Sequence, residues 1–275
     1  MSDIHISLAA ENIFHLGPFP INNSLIVGVI GSILTFFLFY ITARMVKLHP
    51  ANRFSQAIEA ISEAILDLIE QVTQNREKAI RFFPFIMTLF VFILLNNWLG
   101  LLPGFGSITI NTAEGTVPLF RGANADLNTT LALAIISVVM THVYAVQQLG
   151  LFQHLSKYFS LNPIMLFVGL LEIVSEFSKM ISFSFRLFGN IFAGEVLLVV
   201  ISYLMPLAAP LPFFGLELFV GLVQALVFAM LTLVFLQIAT SEHGEHDPKK
   251  KEQPSKPDHL VKKTDIDIDK TVEVV

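Results

Sequence analysis

Five apolar runs, each long enough to cross a bilayer, constrain this chain more than any other feature. They cover about 24–43, 82–102, 127–146, 163–204 and 213–240. The hydrocarbon core of a membrane is about 30 Å thick, which a helix of about 20 residues spans. Every backbone N–H and C=O inside hydrocarbon needs an internal partner, so runs of this kind are helical. Composition agrees, with 54% hydrophobic and 14% charged residues and a mean hydropathy of +0.68. A soluble domain carries about 25% charged residues. The absence of Cys excludes a disulfide framework, a thiol nucleophile and a Cys-ligated metal site. The expected fold class is all-α and polytopic, with five crossings and one amphipathic interfacial helix.

The amphipathic helix is read at 51–80. Phe54, Ile58, Ile61, Ile65, Leu68 and Val72 recur every three or four residues, with Glu59, Glu63, Asp67 and Glu70 on the other face. Such a helix lies on the membrane or against a partner, and its acidic polar face makes anionic lipid a poor attractor. The run 163–204 would measure roughly 60 Å as one straight helix, twice the thickness of the core. It and the run at 213–240 are therefore expected as a hairpin of long, tilted helices, joined by a turn at Pro206, Pro210 and Pro212. Residues 1–23 form a segment outside the membrane; Met1-Ser2-Asp3 lacks the basic stretch of a signal peptide. Residues 242–275, rich in Lys, Asp and Glu, hold too little apolar surface to fold alone and read as a disordered inside tail. The membrane channel domain is 24–241.

Basic residues set the orientation. Arg44, Lys47, Arg53, Arg76, Lys78 and Arg81 flank the first two spans on one side. Lys157 and the Lys249-Lys250-Lys251 run fall on that same side, and the opposite side has Arg121. The N-terminus is expected outside and the C-terminus in the cytoplasm.

The fourth run carries Glu172, Glu176, Lys179, Arg186 and Glu195, and the fifth Glu217 and Gln224. A charge near the centre of a membrane costs at least ~2.5–3.5 kcal/mol, and such groups line pathways or protein contacts. Arg186 lies among Phe183, Phe185, Leu187 and Phe188, and a guanidinium does not give up its proton. At ~100° per residue, Glu172, Lys179 and Arg186 share a face, and Ser182 and Asn190 lie beside it. Glu195 points to the opposite side, ~14 Å along the axis. Glu217 and Gln224 share a face of the last helix. A fixed cation favours deprotonation of a carboxylic acid brought next to it and blocks passage of other cations. Carboxylates at other depths exchange protons with water. Bland readings stand beside these: Lys179 as a snorkelling residue, Glu172 and Glu176 as solvated at the inner surface, Asn190 and Gln224 as an interhelical hydrogen bond, and His142 as a hydrogen-bonded core residue.

The run from Leu171 to Glu195, with Ser184-Phe185-Arg186-Leu187-Phe188-Gly189-Asn190 and Ala193-Gly194-Glu195 at its centre, closely resembles subunit a of F-type ATP synthases. Asn97-Trp98-Leu99-Gly100-Leu101-Leu102-Pro103, Asp126-Leu127-Asn128-Thr129-Thr130, and Gln224-Ala225 with Val227-Phe228 and Leu231-Thr232 are similar to three further stretches of that family. The likeness covers roughly 24–243. It implies a stator channel beside a rotating ring of c subunits, held by peripheral-stalk b subunits and working with the other ATP synthase subunits in a lipid bilayer. It implies that Arg186 faces the ring carboxylate and prevents an ionic short circuit. It further implies that Asn190 and Gln224 stand near Arg186, that Glu195 and Glu217 belong to the outer half-channel, and that Glu172 belongs to the inner route; Ser182 and Lys179 are counted with the ion pathway. One departure is that some members have His at one of the Glu195/Glu217 positions.

On this reading the chain is not an enzyme by itself, needs no cofactor or metal, binds no nucleic acid, and sits in the plasma membrane of a bacterium, carrying protons or, alternatively, sodium. A secondary transporter would repeat its charged half, and a metal hydrolase would carry a His-Glu-x-x-His helix; neither pattern is present.

Overall fold

The computed structural model describes residues 10–17, 19–45, 53–102, 104, 108–112, 115–152, 163–205 and 209–241. The charged tail read at 242–275 lies outside the described residues, as do Lys47, Lys157 and Pro206. A short hairpin, β1 (Asn12–Leu16) and β2 (Phe19–Asn22), leads into α1 (Asn23–Met45). Then follow α2 (Arg53–Thr73), α3 (Arg76–Gly100), a second hairpin of β3 (Thr109–Thr112) and β4 (Gly115–Pro118), a 3-10 turn (Ala123–Ala125), α4 (Leu127–Leu149), α5 (Pro163–Leu204) and α6 (Pro210–Thr240). Five of the described helices, all except α2, are long and apolar enough to cross a membrane. The 42 residues of α5 correspond to roughly 63 Å of helix.

Two boundaries differ from the sequence reading. The amphipathic helix stops at Thr73 instead of continuing to residue 80. Gln74 turns the chain with φ 52°, and the Asn75 side chain then accepts from the backbone N–H groups of Glu77 (2.9 Å) and Lys78 (3.1 Å). That is an N-cap, which satisfies donors the first turn cannot satisfy itself. The second span consequently begins at Arg76, ahead of its apolar portion. The other difference is at Pro210 and Pro212, read as part of the turn. Both belong to the first turn of α6, where a missing N–H costs no helical bond. The two hairpins replace what read as plain loops; their strands are four or five residues long, too short for an alternating pattern to stand out.

α6 is the hub, packing against α3, α4 and α5, while α1 and α2 pack on α3. Phe82, Ile86 and Ile93 of α3, Leu187 of α5, and Phe228, Leu233 and Leu236 of α6 are fully buried, with Ile69 of α2. α5 and α6 run antiparallel: Phe183 packs on Phe228 at 5.2 Å and on Phe235 at 5.5 Å between ring centroids. Polar pairs pin the helices, including Ser137 with Thr232 (2.8 Å) and Thr130 with Ser184 (3.1 Å).

The linker before α4 is clamped on several sides. Asn124 donates to Asn97 Oδ1 (2.7 Å), Asn97 donates to the carbonyl of Gly221 (2.9 Å), and Ser24 donates to Asp126 (2.8 Å). Asp126 also caps α4 through the N–H of Asn128 (3.1 Å). Gly122 sits so close to Gly100 that a side chain on Gly100 would meet its Cα at 3.0 Å. These contacts define one end of the bundle, where α1 and α4 begin and α3 ends.

Candidate functional site

α5 carries five charged side chains, Glu172, Glu176, Lys179, Arg186 and Glu195, and divides them by phase. Its inward face buries Phe183, Ser184, Leu187 and Ile191. Arg186 lies on the other side and is exposed. Its Nη2 is 3.5 Å from Ser182 Oγ, one turn earlier. Exposed Phe185, Gly189 and Ala193 surround it. A permanent cation on the outer surface of a spanning helix cannot rest against lipid tails without a large cost. That surface belongs against another polar chain or water.

Beside it, Asn190 Nδ2 donates to Gln224 Oε1 at 2.6 Å, bridging α5 to α6. Gln224 is buried. Seven residues earlier on α6, and roughly 10 Å along the axis, Glu217 is also buried. It fits only because the facing residue is Gly194; a methyl group there would overlap the carboxyl.

Glu195 lies at the same level, opposite in phase to Arg186, with its side chain 40% exposed. Its Oε2 is 3.5 Å from Nε of Arg121, whose side chain is 6% exposed. The Arg121 guanidinium also lies 5.8 Å from the Phe192 ring centroid. In the sequence Arg121 stands out only as a basic residue on the outer side. Nothing in the linear spacing joins it to Glu195; the clamped linker brings it there.

Toward the other end, Lys179 Nζ binds Glu176 Oε1 at 2.8 Å and lies 4.7 Å from the Phe235 centroid. His142 Nε2 of α4 is 3.9 Å from Glu176 Oε2. Glu176 is thus a third carboxylate between helices, whereas Glu172 is exposed. The structure brings together Arg186 with Ser182, Asn190 with Gln224, and the level of Glu195 with that of Glu217. It gives Lys179 to Glu176 and leaves Glu172 on the outer surface.

Chemically, α5 presents an exposed guanidinium with a paired carboxylate on either side along its axis: Glu195 about 14 Å away in one direction and Glu176 about 15 Å in the other. Fold and site together define a multi-pass helical membrane protein built to manage charge at depth. A family model, ATP synthase A chain, matches residues 24–237. The chain belongs to that family, the non-catalytic, ion-translocating stator channel subunit of ATP synthase.

Proposed function

We propose that this chain translocates protons between the two sides of the membrane and the carboxylates of a rotating c-ring, with Arg186 as the stator charge. The single observation that carries this reading is the exposed guanidinium of Arg186 on the outer face of α5. A ring carboxyl arriving protonated meets a cation that cannot lose its charge. Low dielectric strengthens their attraction, so the acid releases its proton as it approaches. The same charge repels any proton seeking a direct path past it.

Access is divided between the ends of the bundle. Glu195 and Glu217 serve the outer half-channel, with Asn190 and Gln224 holding the α5–α6 contact next to Arg186. Ser182, Lys179 and Glu172 serve the inner one, and Glu176 with His142 joins them there. The basic residues Arg44, Arg53, Arg76, Lys78 and Arg81 support an N-terminus outside and the Lys179 end facing the cytoplasm of a bacterium. The exposed acidic face of α2, with Glu59, Glu63 and Asp67, suits a peripheral-stalk b subunit.

The test is Arg186→Ala in the whole complex, in inverted membrane vesicles. ATP-driven acidification of the lumen should vanish while the assembled complex is recovered in normal amount. Acidification at the parent rate would refute the role given to Arg186.

A further inference from the structure

The inner half-channel proposed above includes Glu176 and His142 without giving either a task. α4 carries one His and one Tyr, His142 and Tyr144, and otherwise no ionisable side chain. It packs on α5, and there His142 Nε2 comes within 3.9 Å of Glu176 Oε2. The other oxygen of that carboxylate takes Lys179 Nζ at 2.8 Å, and Lys179 lies over the Phe235 ring of α6. The two carboxylate oxygens are thus divided between a fixed cation and an imidazole.

Position gives these side chains a direction. At ~100° per residue, Lys179 is about 20° from the Arg186 side of α5 and Glu176 about 80° from it. They lead from the exposed side of α5 around into its groove with α4. Five residues past His142, and roughly 7.5 Å further along α4, exposed Gln147 accepts from exposed Arg81 of α3 at 3.5 Å. An Arg at a helix end marks the aqueous boundary, so His142 stands just inside it, with its side chain 33% exposed and within reach of water. The neighbouring helices bring little other charge to this level. The single ionisable residue of α6 is Glu217, near its far end. Those of α3, Arg76, Glu77, Lys78 and Arg81, fall in its first two turns, and α1 has Arg44 in its last.

Lys179 and Glu176 cancel each other's charge, which leaves the imidazole to gain and lose a proton, the exchange histidine makes in the range where cells work. A proton landing on Nε2 sets its charge against a carboxylate already held in place. The 3.9 Å separation is too long for a hydrogen bond and closes by rotation of the ring or through one water.

We propose that His142 is the proton-exchange residue at the inner mouth of the channel and that Glu176, clamped by Lys179, is its positioning residue. The inference rests on the function proposed above. During ATP-driven pumping, a hydronium ion of the inner solution gives its proton to Nε2 of the neutral ring. The N–H bond forms as the O–H bond breaks, and the imidazolium pairs with Glu176. The imidazolium then gives a proton to a water molecule on the way to the ring carboxylate, and the neutral imidazole returns. ATP synthesis runs the same steps backwards. Sodium has no place in this course, because hard cations are held by oxygen ligands and not by imidazole.

The experiment uses the whole complex in inverted membrane vesicles, where the inner mouth opens to the medium. Pumping is followed as membrane potential, because neutral imidazole crosses the bilayer and would erase a pH gradient. His142→Ala should pump about tenfold to a hundredfold more slowly than the parent, the low end of what a proton-transfer group contributes. Imidazole in the medium should then quicken it several-fold. Pyrazole, a ring of the same size that accepts protons poorly, should not, and the parent should respond to neither. Pumping at the parent rate in His142→Ala, or a slow rate that imidazole leaves unchanged, would overturn the inference. If His142→Ala does not assemble, His142→Asn keeps a polar side chain, leaves room for the added ring and is read in the same way. Glu176→Gln should slow the parent several-fold and slow His142→Ala no further, because it acts through the imidazole; a full second loss there would remove its positioning role. Arg186→Ala run in parallel separates the two claims. Pumping in that variant refutes the general reading, whereas a silent Arg186→Ala beside a His142→Ala indifferent to imidazole refutes this inference alone.

Discussion

Arg186, Glu195 and Glu217 are each isolated charges in apolar sequence, and each has a different solution to that problem. Arg186 faces outward, Glu195 takes Arg121, and Glu217 takes the space left by Gly194. The outward solution demands a partner, which is why its loss should be the most severe. On the proposed route, Glu195→Gln and Glu217→Gln keep the shape and would each remove one proton-exchange group. Each should slow ATP-driven pumping by roughly tenfold or less, about 1.4 kcal/mol of barrier, and the pair together should slow it further. Vesicle acidification rates check this, and an unchanged rate in the double variant would remove both residues from the route. Gly194→Ala should resemble Glu217→Gln in rate, because the added methyl displaces the same carboxyl. At this scale the sequence was partly legible. Arg186 could be found because no charge hides in a run of Phe and Leu. The Arg121–Glu195 and Glu176–His142 pairs could not, because they join residues 74 and 34 positions apart through tertiary placement alone.

At the level of elements, apolar run length located the five spans and periodicity located α2, and both misplaced some of the helix ends. The acidic and apolar alternation of α2 stops being informative near Gln74, where Asn75 caps α3. A single capping side chain decides that boundary, and the hydrophobic pattern is nearly blind to it. Asn75→Ala should destabilise the α2–α3 joint by about 1 kcal/mol. The measurement is hydrogen exchange of the Glu77 and Lys78 amides in detergent, which should quicken while pumping persists. Unchanged exchange would mean that the helix start does not depend on the cap. The hairpins at 12–22 and 109–118 were illegible for a related reason: two short strands make a marginal unit, and these are defined by the helices they connect as much as by their own residues.

Across the whole molecule, many buried polar groups are fasteners and not stations. Ser137 with Thr232, Thr130 with Ser184, and Asn97 with Gly221 hold α3, α4, α5 and α6 together. Each such bond contributes about 0.6 kcal/mol in a membrane, enough in sum to fix the helices around α6. This rigid inner packing leaves the Arg186 side of α5 exposed: Ser182, Phe185, Gly189 and Ala193 share it. The chain has no Cys, so single cysteines can be introduced without background. The most direct test of the account is disulfide formation in the whole complex between a cysteine on α5 and one beside the carboxylate of the ring proteolipid. Cysteines at Ser182, Gly189 and Ala193 should cross-link to the ring and stop pumping, whereas cysteines at buried Phe183 and Leu187 should not. Cross-links from the buried positions, or none from the exposed ones in an active complex, would contradict the claim that Arg186 faces the rotor.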